Sequence, residues 1–173
     1  HGNSFNSLTF FKQFSYPELV KNYRLMAIDL PGHGKSTWQN NYSLPLYAKS
    51  ISDFINDLNL ENITIAGHSL GGHIAIESLG FLSAERIRGL FLWGTPPIAN
   101  IGDLSQAFLK NEKVAGFFKS DVSVEEVKQI IENCFYKSPN QFHYLKEIII
   151  NTHGLARIDL LNSLLKGDFA NEM

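Results

Sequence analysis

The residues best suited to chemistry lie mid-chain, in Gly67-His68-Ser69-Leu70-Gly71-Gly72. A serine hydroxyl is a weak nucleophile until a base takes its proton and donors hold the oxyanion that its attack creates. The pattern G-x-S-x-G supplies that geometry when a strand precedes it and a helix follows. The turn between them is so sharp that the serine backbone is strained. Residues two positions either side must be small, because a Cβ there would strike the turn. Gly67 and Gly71 meet that demand, and Gly72 lets the helix approach the sheet. The turn also puts Ser69 at a helix N-terminus, where the Leu70 amide points toward a forming oxyanion and the helix dipole assists it. His68 is placed to line a pocket or to pack the turn. The competing reading is a glycine-rich strand–helix turn with an incidental serine, and the flanking elements weigh against it.

Those elements follow from periodicity. Tyr23 to Leu30 is short and largely apolar, is stopped by Pro31-Gly32, and reads as a buried strand. Leu46 to Leu60 has apolar residues at Tyr47, Ile51, Phe54, Ile55 and Leu58, a helical spacing, with Pro45 suited to the first turn. Ile63 to Ala66 is a second strand. Gly71 to Leu82 is a helix with Ile74, Ala75, Ser78 and Leu79 inward. Ile87 to Trp93 is a third strand, closed by Gly94-Thr95-Pro96-Pro97. Strands alternating with helices in this way predict a parallel α/β sheet. From Asn100 to Met173 the pattern predicts helices only: Leu104 to Phe118, Ser123 to Phe135, Gln141 to Thr152 and Leu155 to Leu165. Ser123-x-x-Glu126 is a capping box, and the flanks of Ile148-Ile149-Ile150 favour helix over strand.

Two further segments join the serine turn. His1-Gly2-Asn3-Ser4 is similar to an oxyanion loop of the H-G-x type, and Asp29-Leu30-Pro31-Gly32-His33-Gly34-Lys35-Ser36 is similar to a D-x-P-G-x-G-x-S segment. In this order and spacing, the three resemble the α/β-hydrolase superfamily over about residues 1 to 98. The remainder is similar only in being a helical cap. The resemblance implies a partial α/β-hydrolase sheet (strands four to six) with core residues 1–98 and a cap over 99–173. It implies that the Asn3 amide is the second oxyanion donor beside Leu70; the alternative for Asn3 is a simple loop residue. His1 is expected to stabilise its loop, His33 to serve its turn, and His73 to stand apart from the chemistry. Gly34-Lys35-Ser36 after a strand is a phosphate-loop decoy, because that motif needs glycine at the position of Asp29.

In this superfamily an acid and then a histidine follow the serine. Neither stands out here. Asp103, Asp121 and Asp159 fall in cap segments and read as surface charges or helix caps. Asp168 reads as a helix end, and His143 and His153 as cap residues. The expectation is therefore a fragment, with strands one to three and seven to eight and the remaining triad partners outside residues 1–173. Without strand three, neighbouring strands would stand about 10 Å apart with unpaired backbone. Residues 1–173 alone are then expected to be unstable and inactive.

Bulk properties narrow the function classes. Lys and Arg number 15 against 17 Asp and Glu, for a net charge of −2, so nothing recruits nucleic acid or an anionic membrane. No apolar run approaches the roughly 20 residues of a membrane span. Cys134 is the one cysteine, which excludes an internal disulfide and a thiolate cluster and suits a reducing, cytoplasmic compartment. The sequence opens on His1 rather than methionine and is read as lacking its true start. The expected activity is serine hydrolysis of an ester-like acyl bond through an acyl-enzyme, with no metal and no cofactor. The expected partner is a small molecule with an apolar acyl or alcohol group, suited to a lid bearing Phe108, Phe117, Phe118, Phe135, Tyr136 and Phe142. Carbon–carbon bond hydrolysis, lyase, acyl-transfer or cofactor-free haloperoxidase chemistry, or non-catalytic binding if the chain truly ends at Met173, remain alternatives. Oligomeric state is not legible.

Overall fold

The computed structural model of the chain describes residues 1–109, 116–135 and 142–167. Strands β1 (Ile63–His68) and β2 (Ile87–Trp93) pair in parallel, in a register that sets Ala66 opposite Phe91 and His68 opposite Trp93. Helix α1 (Phe11–Phe14) and helix α2 (Pro17–Asn22) follow the N-terminal loop. Helix α3 (Leu44–Asp57) begins where Ser43 accepts from the Leu46 amide and Pro45 occupies the first turn, two residues earlier than periodicity placed it. Helix α4 (Leu70–Ser78) leaves β1 directly through Ser69 and packs on α3. It tightens into a 3₁₀ turn at Leu79–Phe81, which leaves Leu79 exposed rather than inward.

One expected strand does not form. Tyr23 to Leu30 joins no ladder, and the sheet of the described residues has two strands rather than three. Its apolar sequence favours an extended chain, but a ladder needs a neighbour in register, and β1 pairs with β2 alone. The end of the segment is fixed by side chains instead. The Leu30 amide donates to His1 Nε2 at 2.9 Å, and the Asp29 carboxylate accepts from the Ser7 and Lys35 amides, each at 2.8 Å.

Beyond β2 the described residues are helical, as the pattern predicts. The single helix expected over Leu104 to Phe118 is instead α5 (Ile101–Leu104) followed by a π turn at Ser105–Leu109. Helix α6 (Val124–Cys134) starts at the capping box, with Ser123 and Glu126 each bonded to the other's backbone. Helices α7 (Phe142–Ile150) and α8 (Gly154–Leu165) complete the set, and Ile148-Ile149-Ile150 is helical. Tyr136 and Asp168 lie outside the described residues.

Two apolar clusters tie the later helices to the earlier elements. Leu104, Ala156, Leu160 and Leu164 share one core with Leu30, Leu44, Tyr47, Leu70 and Ile74. Val127, Ile130, Ile131, Leu145 and Ile149 enclose Phe5 in the other. Arg157, at 2% exposure, staples this half together. Its guanidinium donates to the carbonyls of Lys119 at 2.7 Å, Ser120 at 2.8 Å and Ile149 at 3.1 Å.

Candidate active site

Ser69 sits between β1 and α4 with φ 52° and ψ −119°, outside the comfortable regions for a residue with a Cβ. The packing holds it there. The Ser69 amide donates to the Trp93 carbonyl at 3.0 Å, and its own carbonyl accepts from the Gly72 amide at 2.8 Å and the Thr95 hydroxyl at 3.2 Å. A Cβ at Gly67 would stand 2.4 Å from the Gly71 oxygen and 2.6 Å from Gly72 Cα. One at Gly71 would stand 2.9 Å from the His1 carbonyl oxygen, and one at Gly72 would overlap the Thr95 hydroxyl. The steric reason for each glycine is thus a particular neighbour, two of them backbone.

The N-terminal loop lies against this turn. A Cβ at Gly2 would meet His68 Nδ1 at 3.1 Å and Ser69 Cβ at 3.6 Å. Asn3 is next in the chain and buried, and its side chain donates to the Phe117 carbonyl at 2.7 Å. The Asn3 side chain therefore anchors the loop to the cap segment, and its amide belongs to a loop packed on Ser69. Leu70 is the first residue of α4, where helix amides have no intrahelical acceptor. The loop, the turn and the helix start thus bring the sequence-predicted set, Asn3, Gly67, His68, Ser69, Leu70, Gly71 and Gly72, into one region.

Three other histidines, His1, His33 and His153, have structural partners. His1 Nε2 accepts from the Leu30 amide, so its Nδ1 donates to the Gly2 carbonyl at 2.9 Å. His33 Nε2 accepts from the Ser4 amide at 3.3 Å, leaving Nδ1 to donate to the Pro31 carbonyl at 3.0 Å. Burial holds the His33 pKa down at about 4, so it is neutral near pH 7. His153 stacks on Trp38 with ring centroids 4.2 Å apart, and its Nδ1 meets the Tyr42 hydroxyl at 2.8 Å. His73 is buried on α4. No described contact joins Ser69 Oγ to a histidine or a carboxylate.

Four carboxylates, Asp29, Asp103, Asp121 and Asp159, are likewise committed. Asp103 accepts from the Ala99 amide and caps α5 with Asn100. Asp159 accepts from the Tyr42 amide at 3.0 Å, and Asp121 from the Ser120 hydroxyl. Burial alone would raise the Asp29 carboxyl, but the Lys35 and Ser7 amides outweigh it and hold its pKa below the ordinary value. A Cβ at Gly34 would overlap the Asp29 carboxylate, so the glycines of this segment serve a turn closed by Asp29. No group of His, Cys, Asp and Glu among the described residues is arranged to hold a metal ion.

A cleft with about 520 Å³ of empty space, including its open mouth, borders the nucleophile turn at His68. Phe5, Phe10, Trp93 and Phe135 wall it together with His68, whose ring stacks on Trp93. Thr9, Gln13 and Cys134 complete its lining. Sequence reasoning placed His68 at a pocket but missed Trp93, whose position at the last residue of β2 is the signal that could have found it. Among the described aromatic cap residues that the sequence singles out, only Phe135 reaches this cleft. Phe108 and Phe118 pack on the first apolar cluster, and Phe117 and Phe142 on the second.

Comparison with known proteins agrees with this architecture. The profile of the alpha/beta hydrolase family matches residues 1–127, and the chain belongs to that family. It is 36% identical over 93 residues to a Mycoplasma pneumoniae protein bearing the name esterase/lipase 1, a match covering 53% of this chain and 32% of that protein. It is 36% identical over 78 residues to a serine hydrolase-like protein of Danio rerio, covering 43% of this chain and 23% of that one. The crystal structure of a mutant N-acyl homoserine lactonase, complexed with N-hexanoyl homoserine lactone, superimposes with a TM-score of 0.88 at 30% identity, covering 99% of this chain and 63% of the lactonase. The chain therefore spans a third or less of these curated relatives and under two thirds of the lactonase. No helix among the described residues is long and apolar enough to cross a membrane.

Proposed function

We propose that the protein carrying this chain is a serine hydrolase that cleaves an ester-like acyl bond, in an ester or a lactone, with Ser69 as nucleophile. The observation that carries this reading is the strained Ser69 backbone at a strand–helix turn, against which the Gly2-Asn3 loop is packed. Strain at a non-glycine residue persists where the surroundings impose it, and such residues cluster at functional sites.

In this mechanism Ser69 Oγ attacks the carbonyl carbon and a histidine takes the hydroxyl proton. The amides of Leu70 and Asn3 donate to the tetrahedral oxyanion. Collapse expels the alcohol, which takes the proton from the histidine, and leaves an acyl-Ser69 ester. Water then attacks that ester and gives its proton to the same base, which returns it to Ser69 Oγ as the acyl–oxygen bond breaks and the acid leaves. His1, His33, His153, Asp29, Asp103, Asp121 and Asp159 have other partners, and the base and acid of this mechanism are assigned to parts of the protein outside residues 1–173. Residues 1–98 form the core of this reading and 99–173 its cap. The names of the relatives, an esterase/lipase, a serine hydrolase-like protein and a lactonase, agree with this choice of bond.

The test is turnover of short neutral esters and lactones by the whole protein and by Ser69→Ala. The expected result is a loss of at least about 10³-fold in kcat with an unchanged fold. Equal turnover by the folded variant would exclude Ser69 as the nucleophile.

A further inference from the structure

We propose that the cleft lined by His68, the chain neighbour of Ser69, receives an uncharged aromatic group of the substrate, held by Trp93 and the rings of Phe5, Phe10 and Phe135. The proposal rests on Ser69 being the nucleophile. Its first support is position. The Trp93 carbonyl accepts from the Ser69 amide at 3.0 Å, so this wall of the cleft is fixed to the nucleophile through one hydrogen bond. His68 adjoins Ser69 in the chain, and its ring stacks on the Trp93 indole at 5.6 Å and 26°. A group seated against His68 and Trp93 therefore lies against the two residues that adjoin Ser69 through the chain and through this hydrogen bond.

The second support is the shape of the walls. Phe10 meets Trp93 edge-on at 6.0 Å and 73°, and Phe5 meets Phe135 edge-on at 6.4 Å and 76°. Aromatic rings favour offset-stacked and edge-to-face partners at centroid separations of roughly 4.5–7 Å. These walls offer both faces and edges to one more flat ring.

The third support is charge. No Lys, Arg, Asp or Glu lines the cleft. His68 is held toward its neutral form by burial, and desolvation raises the Cys134 thiol to about 11 and keeps it protonated. The Thr9 hydroxyl is already donated to the Asn6 carbonyl at 2.7 Å. A carboxylate on the substrate would lose water here and gain no cation. The ring can belong to the acyl or to the alcohol half of the substrate, since either flanks the attacked carbonyl.

The experiment measures kcat/KM of the whole protein in two arms of matched intrinsic reactivity. Methyl phenylacetate is compared with methyl propanoate for the acyl half, and benzyl acetate with ethyl acetate for the alcohol half. The expected result is an aromatic advantage of about tenfold or more in one arm, as burial of a phenyl group implies. The arm that shows it identifies the half. A para-carboxylate on that ring removes the advantage, and Trp93→Ala lowers the aromatic-to-alkyl ratio about tenfold. Phe135→Leu, which changes the opposite wall, lowers the same ratio and serves if Trp93→Ala does not fold. Ratios near one in both arms, or a carboxylated ring preferred to the neutral one, would overturn the proposal while leaving Ser69 in place. Absence of turnover of every ester by the folded protein would overturn the nucleophile reading and this proposal with it.

Discussion

Gly67→Ala tests whether sterics at the turn hold Ser69 in place. The added Cβ would lie 2.4 Å from the Gly71 oxygen, 2.6 Å from the Gly71 carbonyl carbon and 2.6 Å from Gly72 Cα. All three are backbone atoms, so no side chain can swing away, and relief requires β1 and α4 to separate locally. Overpacking of this kind costs about 1–3 kcal/mol. In a protein of this size that lowers Tm by roughly 2–4 °C per kcal/mol. The same displacement moves Ser69 relative to the Gly2-Asn3 loop, and a misplacement near 1 Å costs on the order of 10²-fold in rate. Gly80→Ala is the matched control, because nothing lies within 4 Å of its added Cβ. It should be neutral or gain up to about 1 kcal/mol through the unfolded chain. The assay is thermal denaturation of the whole protein with the rate of ester turnover measured in parallel. If Gly67→Ala matched Gly80→Ala in both Tm and rate, the steric account of the turn would be wrong.

Two predictions concern the surrounding frame. Arg157→Met should destabilise by about 3–5 kcal/mol in denaturant titrations, since it strands the carbonyls of Lys119, Ser120 and Ile149, and Arg157→Lys should restore only part of that. His33 has a folded pKa of about 4 against an unfolded value near 6.5, so the unfolded chain binds its proton first as pH falls. Its contribution is present above about pH 6.5 and is lost as pH falls toward 4, by up to about 3 kcal/mol, and His33→Gln should flatten that part of a stability–pH series.

The serine turn was legible because a short motif records its requirements. Gly67 is needed by atoms of Gly71 and Gly72 within the motif, while Gly71 and Gly72 answer to His1 and Thr95, which the spacing alone does not name. Strand β2 and the α6 capping box were readable for the same reason: period and capping residues are written within the element. Tyr23 to Leu30 was misread because strand formation depends on a partner, and apolar composition cannot state whether one is present. Arg157 and the Tyr42–His153–Trp38 group were invisible for a related reason. Their partners are distant in sequence, and a lone arginine or histidine in a helical segment reads as surface. The aromatic cap residues carried no address, and among the described ones Phe135 lines the cleft while Phe108, Phe117, Phe118 and Phe142 pack on the apolar clusters.

Covalent labelling shows whether Ser69 is an activated nucleophile. The whole protein is treated with a small uncharged dialkyl fluorophosphonate, digested, and mapped by mass spectrometry. One phosphonylated peptide, modified at Ser69, is expected, with labelling abolished in Ser69→Ala and slowed in Gly67→Ala. A folded protein left unlabelled, or labelled equally when Ser69 is alanine, would contradict that role for Ser69.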